Sequence, residues 1–491
     1  MAEEGGFLKD PRKQRALLTT LVVSGFTTML NTSTVNIALP TFMQVFDTDI
    51  RMVQWIIVGY MLTLGMMLPM VGYFGERYGY RRVYLTALVV MGICAVCCVL
   101  CNHIYTLIAF RMLKGMAAGF ITPCTMTLLY MYIPREKQAG YLALSVMANS
   151  LGPTIGPTIA GFLLSVFNWH SLFLVNVPLV AVAFFLAYGS VPKSAPQDNG
   201  RLDFKGIIIV AVGTALILIA FTKVEDWGWQ SLAFWGTVGA GIVLVAAFMH
   251  IEYSSQTPLL NFKVFRYKPF AMTVLITCTM QMTFTIMPLL MAVYLQTIQG
   301  HTPLEAGMIL FLPAMFMVAA NYVSRILIGF FSNKVLIIVG LFIAACGNFA
   351  MSRVGIATGV GWITLFMALR YFGIGLVNMP LTDYGMSIIP IRLSGHASSM
   401  LTWCRQLSSV IWLSMLTALL SFRMTSHYVA NGHMEVAVEG TKAYNFAEMQ
   451  AVNDVFFTLV IALLLTIFLT LFIKNEKPCR DCEPIENDAT E

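Results

Sequence analysis

The chain contains one apolar run after another, each about as long as a bilayer's hydrocarbon core is thick. An α-helix needs about 20 predominantly apolar residues to cross that core, because it rises only about 1.5 Å per residue. Windows of that length select fourteen candidate spans in the 491 residues, mostly separated by short polar segments. This repetition predicts an all-α polytopic membrane protein.

The composition supports the same class. Hydrophobic residues make up 58% of the chain and charged residues only 11%, whereas soluble domains carry about 25% charged residues. A soluble multidomain protein and a disordered chain are both excluded, since either would be far more polar.

The predicted spans form two consecutive sets of seven with approximate bounds. The first seven cover 16–39, 53–75, 83–100, 104–128, 141–164, 172–188 and 207–221. The second seven cover 232–248, 272–294, 306–323, 335–349, 362–386, 397–420 and 455–473. Two longer segments separate the spans. Residues 192–206 are predicted to be a cytoplasmic linker, and residues 421–454 the largest outer loop, with room for a short helix.

The basic residues set the predicted orientation. With both termini in the cytoplasm, the inner segments hold 21 of the 30 Lys and Arg residues and the outer segments only five. Positive residues favour the cytoplasmic side, so we predict a multi-pass protein of the cytoplasmic (inner) membrane with cytoplasmic N and C termini. The same bias explains the net charge of +6 without a nucleic-acid partner.

A tight basic turn follows the second span. Residues 72–82 read GYFGERYGYRR, which resembles the loop signature G-x-x-x-D-R-x-G-R-[RK]-[RK] of the major facilitator superfamily, with Glu76 in place of Asp. In that family the acid and its basic neighbours latch the two halves of the transporter together. The resemblance implies that Glu76, Arg77 and Arg81 are gating residues, while a simple positive-inside loop is the alternative.

Spans four and five carry two further motifs. Residues 111–115 read RMLKG and resemble the R-x-x-Q-G of the same family, and residues 152–161 read GPTIGPTIAG and resemble the G-P-x-x-G-G element of its antiporters. Prolines open backbone hydrogen bonds and glycines allow close helix approach. We therefore predict conformational roles for Gly152, Pro153, Gly156 and Pro157, with a packing kink as the alternative.

Other segments extend the resemblance to the fourteen-span drug:proton antiporter branch. They are residues 30–40 (LNTSTVNIALP), 55–60, 169–178, 294–313 and 395–406. The branch implies two six-helix bundles with two inserted helices, and hence four regions: an N-terminal bundle in 1–191, a linker and inserted spans in 192–254, a C-terminal bundle in 255–475 and a cytoplasmic tail in 476–491.

The chain departs from the family pattern at four places, and the first two departures change the charge inside the membrane. Asn31 replaces an acidic residue in span one, Lys114 replaces Gln, and His170 replaces Arg. The second half also lacks a clear copy of the basic loop and has only Arg325, Ser332, Asn333 and Lys334 in that place.

Ionisable residues inside spans are functional candidates, because a charge at mid-bilayer costs at least about 2.5–3.5 kcal/mol. Arg111 and Lys114 are three residues apart on span four, and Lys114 lies near the predicted midplane. In the family, spans one, four, nine and twelve line the central cavity. Polar or charged residues occur on all four spans, so the substrate cavity is predicted to contain Asn31, Arg111, Lys114, Gln281 and Arg370.

Three of the candidates have alternatives. Asp383, the acid within a predicted span, is the candidate proton carrier, and a structural pairing with Arg325 or Arg392 at the cytoplasmic rim is its alternative. Gln281 could equally be a helix-packing residue. Arg405 in span thirteen is predicted to serve helix packing or gating rather than ligand binding.

These features predict a secondary active transporter that exports drugs or other amphipathic molecules by alternating access, coupled to protons. The alternative is a uniporter or exporter of an anionic or zwitterionic metabolite or lipid held by Arg111 and Lys114. A membrane-embedded enzyme is disfavoured because the spans lack paired acids, HExxH and clustered His. We expect no cofactor, metal or nucleic acid. The expected partners are a small-molecule substrate, protons and the lipid bilayer. The protein is expected to be a monomer, with or without accessory export proteins.

The topology gives a direct test by cysteine labelling of intact cells in a cysteine-free background. Glu435→Cys is expected to react with a membrane-impermeant maleimide because residue 435 lies in the predicted outer loop, and Lys137→Cys is expected to stay unlabelled until the cells are opened. Labelling of Lys137→Cys from outside would contradict the predicted orientation.

Overall fold

The computed structural model describes residues 10–35, 38–48, 50–193, 204–255, 258–328, 330–430 and 442–473. Most of the predicted linker 192–206, the centre of the predicted outer loop with Glu435, and the tail 476–491 lie outside the described residues. All regular structure within the described ranges is helical, which confirms the predicted all-α class.

Fourteen long helices form the bundle in the described ranges. In chain order they are α1 (Pro11–Ser33), α2 (Ile50–Met67), α3 (Tyr80–Val99), α4 (Ile104–Tyr132), α5 (Arg135–Val166), α6 (Asn176–Ser190), α7 (Phe204–Thr222), α8 (Leu232–Ser254), α9 (Lys268–Thr285), α10 (Pro303–Leu327), α11 (Asn333–Met351), α12 (Val360–Met386), α13 (Ser394–Ala430) and α14 (Lys442–Leu471).

Twelve helices in the described part of the chain are long and apolar enough to cross a membrane. The two remaining long helices are α1 and α5, so the count of fourteen spans stays a prediction. In α1 the hydroxyls of Thr20, Ser24 and Thr28 each donate to the backbone carbonyl one turn earlier. A helix can hide its polar side chains in this way, although its average hydropathy remains low.

Prolines interrupt two of the helices. After Met67, α2 tightens into a short 3₁₀ turn that contains Pro69 and continues as the helix Val71–Tyr78. α9 ends at Thr285, just before Pro288, and continues as the short helix Met287–Ala292 and a π-helical turn, Val293–Ile298. Proline has no amide hydrogen to donate and crowds the preceding turn, which explains both breaks.

The helices pack as two groups with a pair between them in the sequence. In the first group α1 packs against α5 and α6, α2 against α4, and α3 against α4 and α6. In the second group α12 packs against α10 and α11, and α9 against α13 and α14. The groups, called the N half and the C half below, meet through α5 with α10 and through α13 with α2 and α4. The exact domain boundaries stay predictions.

The inserted helices lie beside one of these seams. α7 and α8 pack against each other, and α7 also contacts α2 and α13. Trp403 of α13 donates to the Thr214 hydroxyl of α7 at 3.2 Å, and Ser414 donates to the Phe221 carbonyl at 2.7 Å. The inserted pair therefore covers the α2–α13 seam.

Glycines allow close approach at two helix pairs in the N half. A Cβ atom on Gly115 would overlap the Tyr60 carbonyl and the Thr63 hydroxyl of α2, and one on Gly152 would overlap Met29 of α1. α5 runs without a break through residues 153 and 157. Gly152 thus lies at a close α1–α5 contact, while the side chains of Pro153 and Pro157 lie outside the described residues.

The prediction of a large outer loop over 421–454 was wrong in its extent. α13 continues to Ala430, and α14 begins at Lys442. Asp454 of α14 accepts hydrogen bonds from Arg423 at 2.7 Å and from His427 at 2.6 Å. These polar contacts hold the two extensions together, whereas a hydropathy window ends a helix where its polar residues begin.

The α2–α4 contact gives a test of the packing. We expect Gly115→Val to lower the stability of the protein by about 1–3 kcal/mol, since the new side chain overlaps backbone that cannot move freely. Gly236→Val in α8 is the matched control, because a Cβ there meets no atom within 4 Å. Thermal unfolding in detergent measures both, and equal melting temperatures for the two variants would contradict the packing.

Candidate transport site

The two halves are in direct contact at the predicted cytoplasmic end. The first ten residues of α13, Ser394–Trp403, are all buried. Among them Ser398 shares a hydrogen bond of 2.7 Å with Thr127 of α4 and donates to the Pro123 carbonyl at 3.2 Å. From Cys404 to Met415, in contrast, every residue of α13 is partly or fully exposed. The described part of α13 is thus enclosed by its neighbours at one end and less enclosed beyond it, the pattern expected of a gap between the halves that is closed at that end.

A buried histidine belongs to the same contact between the halves. This contact, called the contact layer below, is formed by His396 and Ser398 of α13 with α4 and the helix Val71–Tyr78. His396 of α13 is 3% exposed, and its Nε2 lies 3.1 Å from a carboxylate oxygen of Glu76 on the helix that extends α2. The backbone amide of Asn261 donates to His396 Nδ1 at 3.4 Å. Because Nδ1 accepts, Nε2 carries the hydrogen and donates to the Glu76 carboxylate. Gly72 leaves the space for the ring, since a Cβ there would lie 2.9 Å from Nδ1.

The basic residues beside Glu76 act within the N half. Arg81 donates two hydrogen bonds of 2.6 Å, to the Tyr188 and Val191 carbonyls at the end of α6. Cations are favourable beside the unpaired carbonyls at a helix C terminus. Arg77 donates to the Tyr73 hydroxyl at 2.9 Å. The structure therefore places Glu76 at the contact between the halves, and Arg81 at a contact between α3 and α6.

Arg111 is fully buried inside the N half. Its Nε donates to the Ile56 carbonyl of α2 at 3.2 Å, and its Nη1 donates to the Asn31 carbonyl of α1 at 3.4 Å. The guanidinium carbon also lies 4.5 Å from the centre of the Tyr60 ring, a distance typical of a cation–π contact. Carbonyl oxygens and an aromatic face thus take the place of a carboxylate partner.

Arg370 occupies an equivalent position in the C half. It is fully buried in α12, and its Nε donates to the Asn348 side chain of α11 at 2.9 Å. Its Nη2 donates to the Thr283 carbonyl of α9, and its guanidinium carbon lies 5.0 Å from the Tyr371 ring centre. In each half an arginine therefore fixes a carbonyl near the end of the first helix. Both lie within their own half, whereas the sequence pattern placed them in the substrate cavity.

Lys114 points away from the contact between the halves. Lys114 precedes Pro123, which contacts α13, by nine residues. Nine residues are two and a half helical turns, so the two residues lie on opposite faces of α4. The Lys114 amine lies 5.8 Å from the centre of the Phe173 ring, just before α6. Neither this amine nor the Asn31 side chain has a hydrogen-bond partner among the described residues. The two side chains are fully buried polar groups inside the N half.

Asp383 lies near the contact layer. The half-buried carboxylate accepts a hydrogen bond of 3.2 Å from Asn333, the first residue of α11. It forms no ion pair with Arg325 or Arg392 among the described residues. Tyr130 of α4 lies within electrostatic reach of Asp383, and its hydroxyl has no described partner. The acid therefore lies where the C half faces the N half, three residues before α12 ends at Met386.

Gln281 and Arg405 are half-buried beside the wider part of the gap. Sequence patterns had proposed Gln281 as a cavity residue and Arg405 as a packing or gating residue. His396 and Asn261, which hold Glu76 in place, were not predicted from the sequence. The signal for His396 was available, since it is the variable position within the resemblance over residues 395–406.

The helix arrangement defines a polytopic membrane transporter fold, with two helix groups around a gap that is closed at one end. The family model described as Major Facilitator Superfamily matches residues 21–413, and the chain belongs to this superfamily.

Three similar proteins illustrate the match. The uncharacterized MFS-type transporter YhcA of Bacillus subtilis is 27% identical over 86% of this chain and 79% of its own. The multidrug resistance protein Stp of Mycobacterium tuberculosis is 27% identical over the same shares. The crystal structure of the human organic anion transporter MFSD10 aligns with a TM-score of 0.67 over 94% of this chain and 100% of its own, at 14% identity, which shows the fold alone.

The contact between Glu76 and His396 yields a prediction about the closed end. Glu76→Gln removes the charge from this hydrogen bond, and bonds to charged groups contribute about 1.5–3 kcal/mol. We expect the ratio of closed to open molecules to fall about tenfold, since about 1.4 kcal/mol is a factor of ten in an equilibrium constant. Reactivity of Ser398→Cys toward a membrane-permeant maleimide, in a cysteine-free background, measures the opening.

Glu305→Gln serves as the control. Glu305 hydrogen-bonds to Thr302 and faces His301, so its partners belong to its own helix terminus. An unchanged Ser398→Cys labelling rate in Glu76→Gln, or an equal rise in Glu305→Gln, would contradict a latch between the halves.

Proposed function

We propose that this protein is a proton-coupled exporter of drugs or other amphipathic small molecules that works by alternating access in the cytoplasmic membrane. The observation that carries the proposal is the asymmetry of the gap between the halves. Ser394–Trp403 are buried, with His396 and Ser398 in contact with the N half, and Cys404–Met415 of the same helix are partly or fully exposed. A gap that is closed at one end and wide beyond it is one of the two states that alternating access requires.

The relatives support the direction and the type of substrate. Stp is a multidrug resistance protein, and a protein of Streptomyces glaucescens, 26% identical over 80% of this chain, is a tetracenomycin C resistance and export protein. Export of an amphipathic compound agrees with a bundle interior rich in Met and aromatic residues, which adapt to varied apolar ligands.

Asp383 is the proposed proton carrier. Proton antiport needs a group that binds a proton in one state and releases it in the other. Asp383 lies at the contact layer, faces Tyr130 of the other half and is held by a neutral amide rather than a cation. Opening of the layer exposes this carboxylate further to the predicted cytoplasmic side, and closing leaves it half-buried, so its proton affinity changes with the transport cycle.

The alternative, an anion held by Arg111 and Lys114, is less well supported by the geometry. Arg111 is satisfied by two carbonyls and the Tyr60 ring, and Lys114 lies half a turn away from the α4 surface that meets α13. A substrate in the central gap would not reach either cation in this state.

Proton coupling is tested with purified protein in liposomes. We expect Asp383→Asn to reduce transport driven by an imposed pH gradient at least tenfold, since an amide cannot carry a proton, while exchange of labelled for unlabelled substrate without a gradient is retained. Asp454→Asn is the control, because Asp454 pairs with Arg423 and His427 at the far end of α13. Undiminished gradient-driven transport in Asp383→Asn would overturn its role.

A further inference from the structure

Arg405 is a half-buried arginine without a protein partner. It lies eleven residues after the start of α13 at Ser394, roughly 16 Å along the helix, which is near the middle of a bilayer core about 30 Å thick. Among the described residues it forms no ion pair, hydrogen bond or ring contact. A cation at this depth is costly unless it has a counter-charge or reaches water, so Arg405 is a candidate functional residue.

The neighbours of α13 show which way Arg405 points. Ser398, seven residues earlier and therefore on nearly the same face, contacts Thr127 and Pro123 of α4. Trp403 and Ser414 lie on the opposite face and contact α7. Arg405 thus faces the gap between the halves, two helical turns beyond Ser398.

Gln281 of α9 lies beside the same part of the gap. One turn before it, Cys278 donates to the Cys404 carbonyl at 3.7 Å and accepts from the Trp412 indole at 2.9 Å. These contacts bring α9 and α13 together at the level of Arg405. The half-buried Gln281 side chain forms no hydrogen bond among the described residues. A guanidinium and an amide, both without partners, are therefore presented to the gap from adjacent helices.

The other membrane charges do not neutralise this site. Glu76 faces His396 in the contact layer, Asp383 accepts from Asn333, and Asp454 pairs with Arg423 and His427 at the far end. Of the remaining span cations, Arg111 and Arg370 are bound to carbonyls inside their own halves. The middle of the gap consequently presents a positive charge that the described part of the chain does not compensate.

We propose that Arg405, assisted by Gln281, binds the negatively charged group of the transported molecule, so that the preferred substrates are amphipathic organic anions or zwitterions with an exposed carboxylate. A guanidinium donates two parallel hydrogen bonds to a carboxylate, and an amide donates a third. The counter-charge that the helix bundle lacks is then supplied by the substrate. This inference rests on the proposed transport function and names the chemistry of its substrate.

The test is equilibrium binding of two dyes that share a xanthene core but differ in charge. Fluorescein is the anionic probe and rhodamine 6G the cationic one, and fluorescence anisotropy reports binding to wild-type protein in nanodiscs of neutral phosphatidylcholine. We expect Arg405→Gln to weaken fluorescein binding at least tenfold and to change rhodamine 6G binding less than about twofold. Arg405→Lys should retain part of the affinity for fluorescein, since the charge remains but the bidentate geometry is lost.

Two controls separate charge recognition from structural damage. Arg353→Gln removes an exposed arginine that stacks on Phe349 and should leave both affinities unchanged. Gln281→Leu gives a second route if Arg405→Gln fails to fold, and is expected to weaken fluorescein binding selectively by a smaller factor. Nanodiscs that contain phosphatidylglycerol test whether the bound anion is a lipid phosphate. Weaker fluorescein binding in these nanodiscs identifies a lipid headgroup at the site, and unchanged binding identifies a free organic anion.

An equal loss of both dyes in Arg405→Gln, no loss of either, or no binding of fluorescein by the wild type would overturn the proposal. The binding measurement needs no gradient. Selective anion binding can therefore be absent while gradient-driven transport is present, or present while gradient-driven transport is absent. Failure of this inference is therefore distinguishable from failure of the proposed function.

Discussion

A charged or polar group inside a membrane bundle has to be satisfied by the protein, because the hydrocarbon offers no partner. Different residues of this chain meet the constraint in different ways. Arg111 and Arg370 use backbone carbonyls and aromatic faces. Glu76 uses a histidine whose hydrogen is directed by a backbone amide.

Three other polar or charged side chains have no hydrogen-bond partner among the described residues, and their positions differ. Lys114 and Asn31 are buried inside the N half without a hydrogen-bond partner in the described ranges. Arg405 is different, since it faces the gap between the halves, where a substrate can reach it. Burial inside a half and exposure to the gap therefore separate structural charges from candidate transport residues.

Much of the fold was predictable from the sequence, and the orientation of individual side chains was not. A run of about 20 apolar residues identifies a span regardless of its neighbours, and all fourteen predicted spans have a corresponding long helix in the described ranges. The resemblance over residues 72–82 placed Glu76 at a contact between halves. Residue counting placed Arg111 and Lys114 deep within span four, and both side chains are fully buried in the structure.

The direction in which a side chain points depends on which helix packs against each face, and a single sequence does not contain this information. Arg111 and Arg370 were predicted to line the cavity, yet each turns into its own half toward a carbonyl of the first helix. Arg405 was predicted to serve packing or gating, yet it faces the gap. The outer extensions of α13 and α14 were missed for a related reason, because Arg423, His427 and Asp454 stabilise helix outside the apolar runs.

The proposed transport cycle requires the two halves to rock about the gap, so that the contact layer opens when the opposite end closes. Pulsed electron paramagnetic resonance tests it most directly, with one spin-label pair at exposed Tyr78 and Arg392 near the contact layer and another at exposed Tyr105 and Trp362 at the far end. Addition of a transported substrate and a change of pH should lengthen one distance and shorten the other. If both distances stay constant, or change in the same direction, the halves do not alternate and the account is wrong.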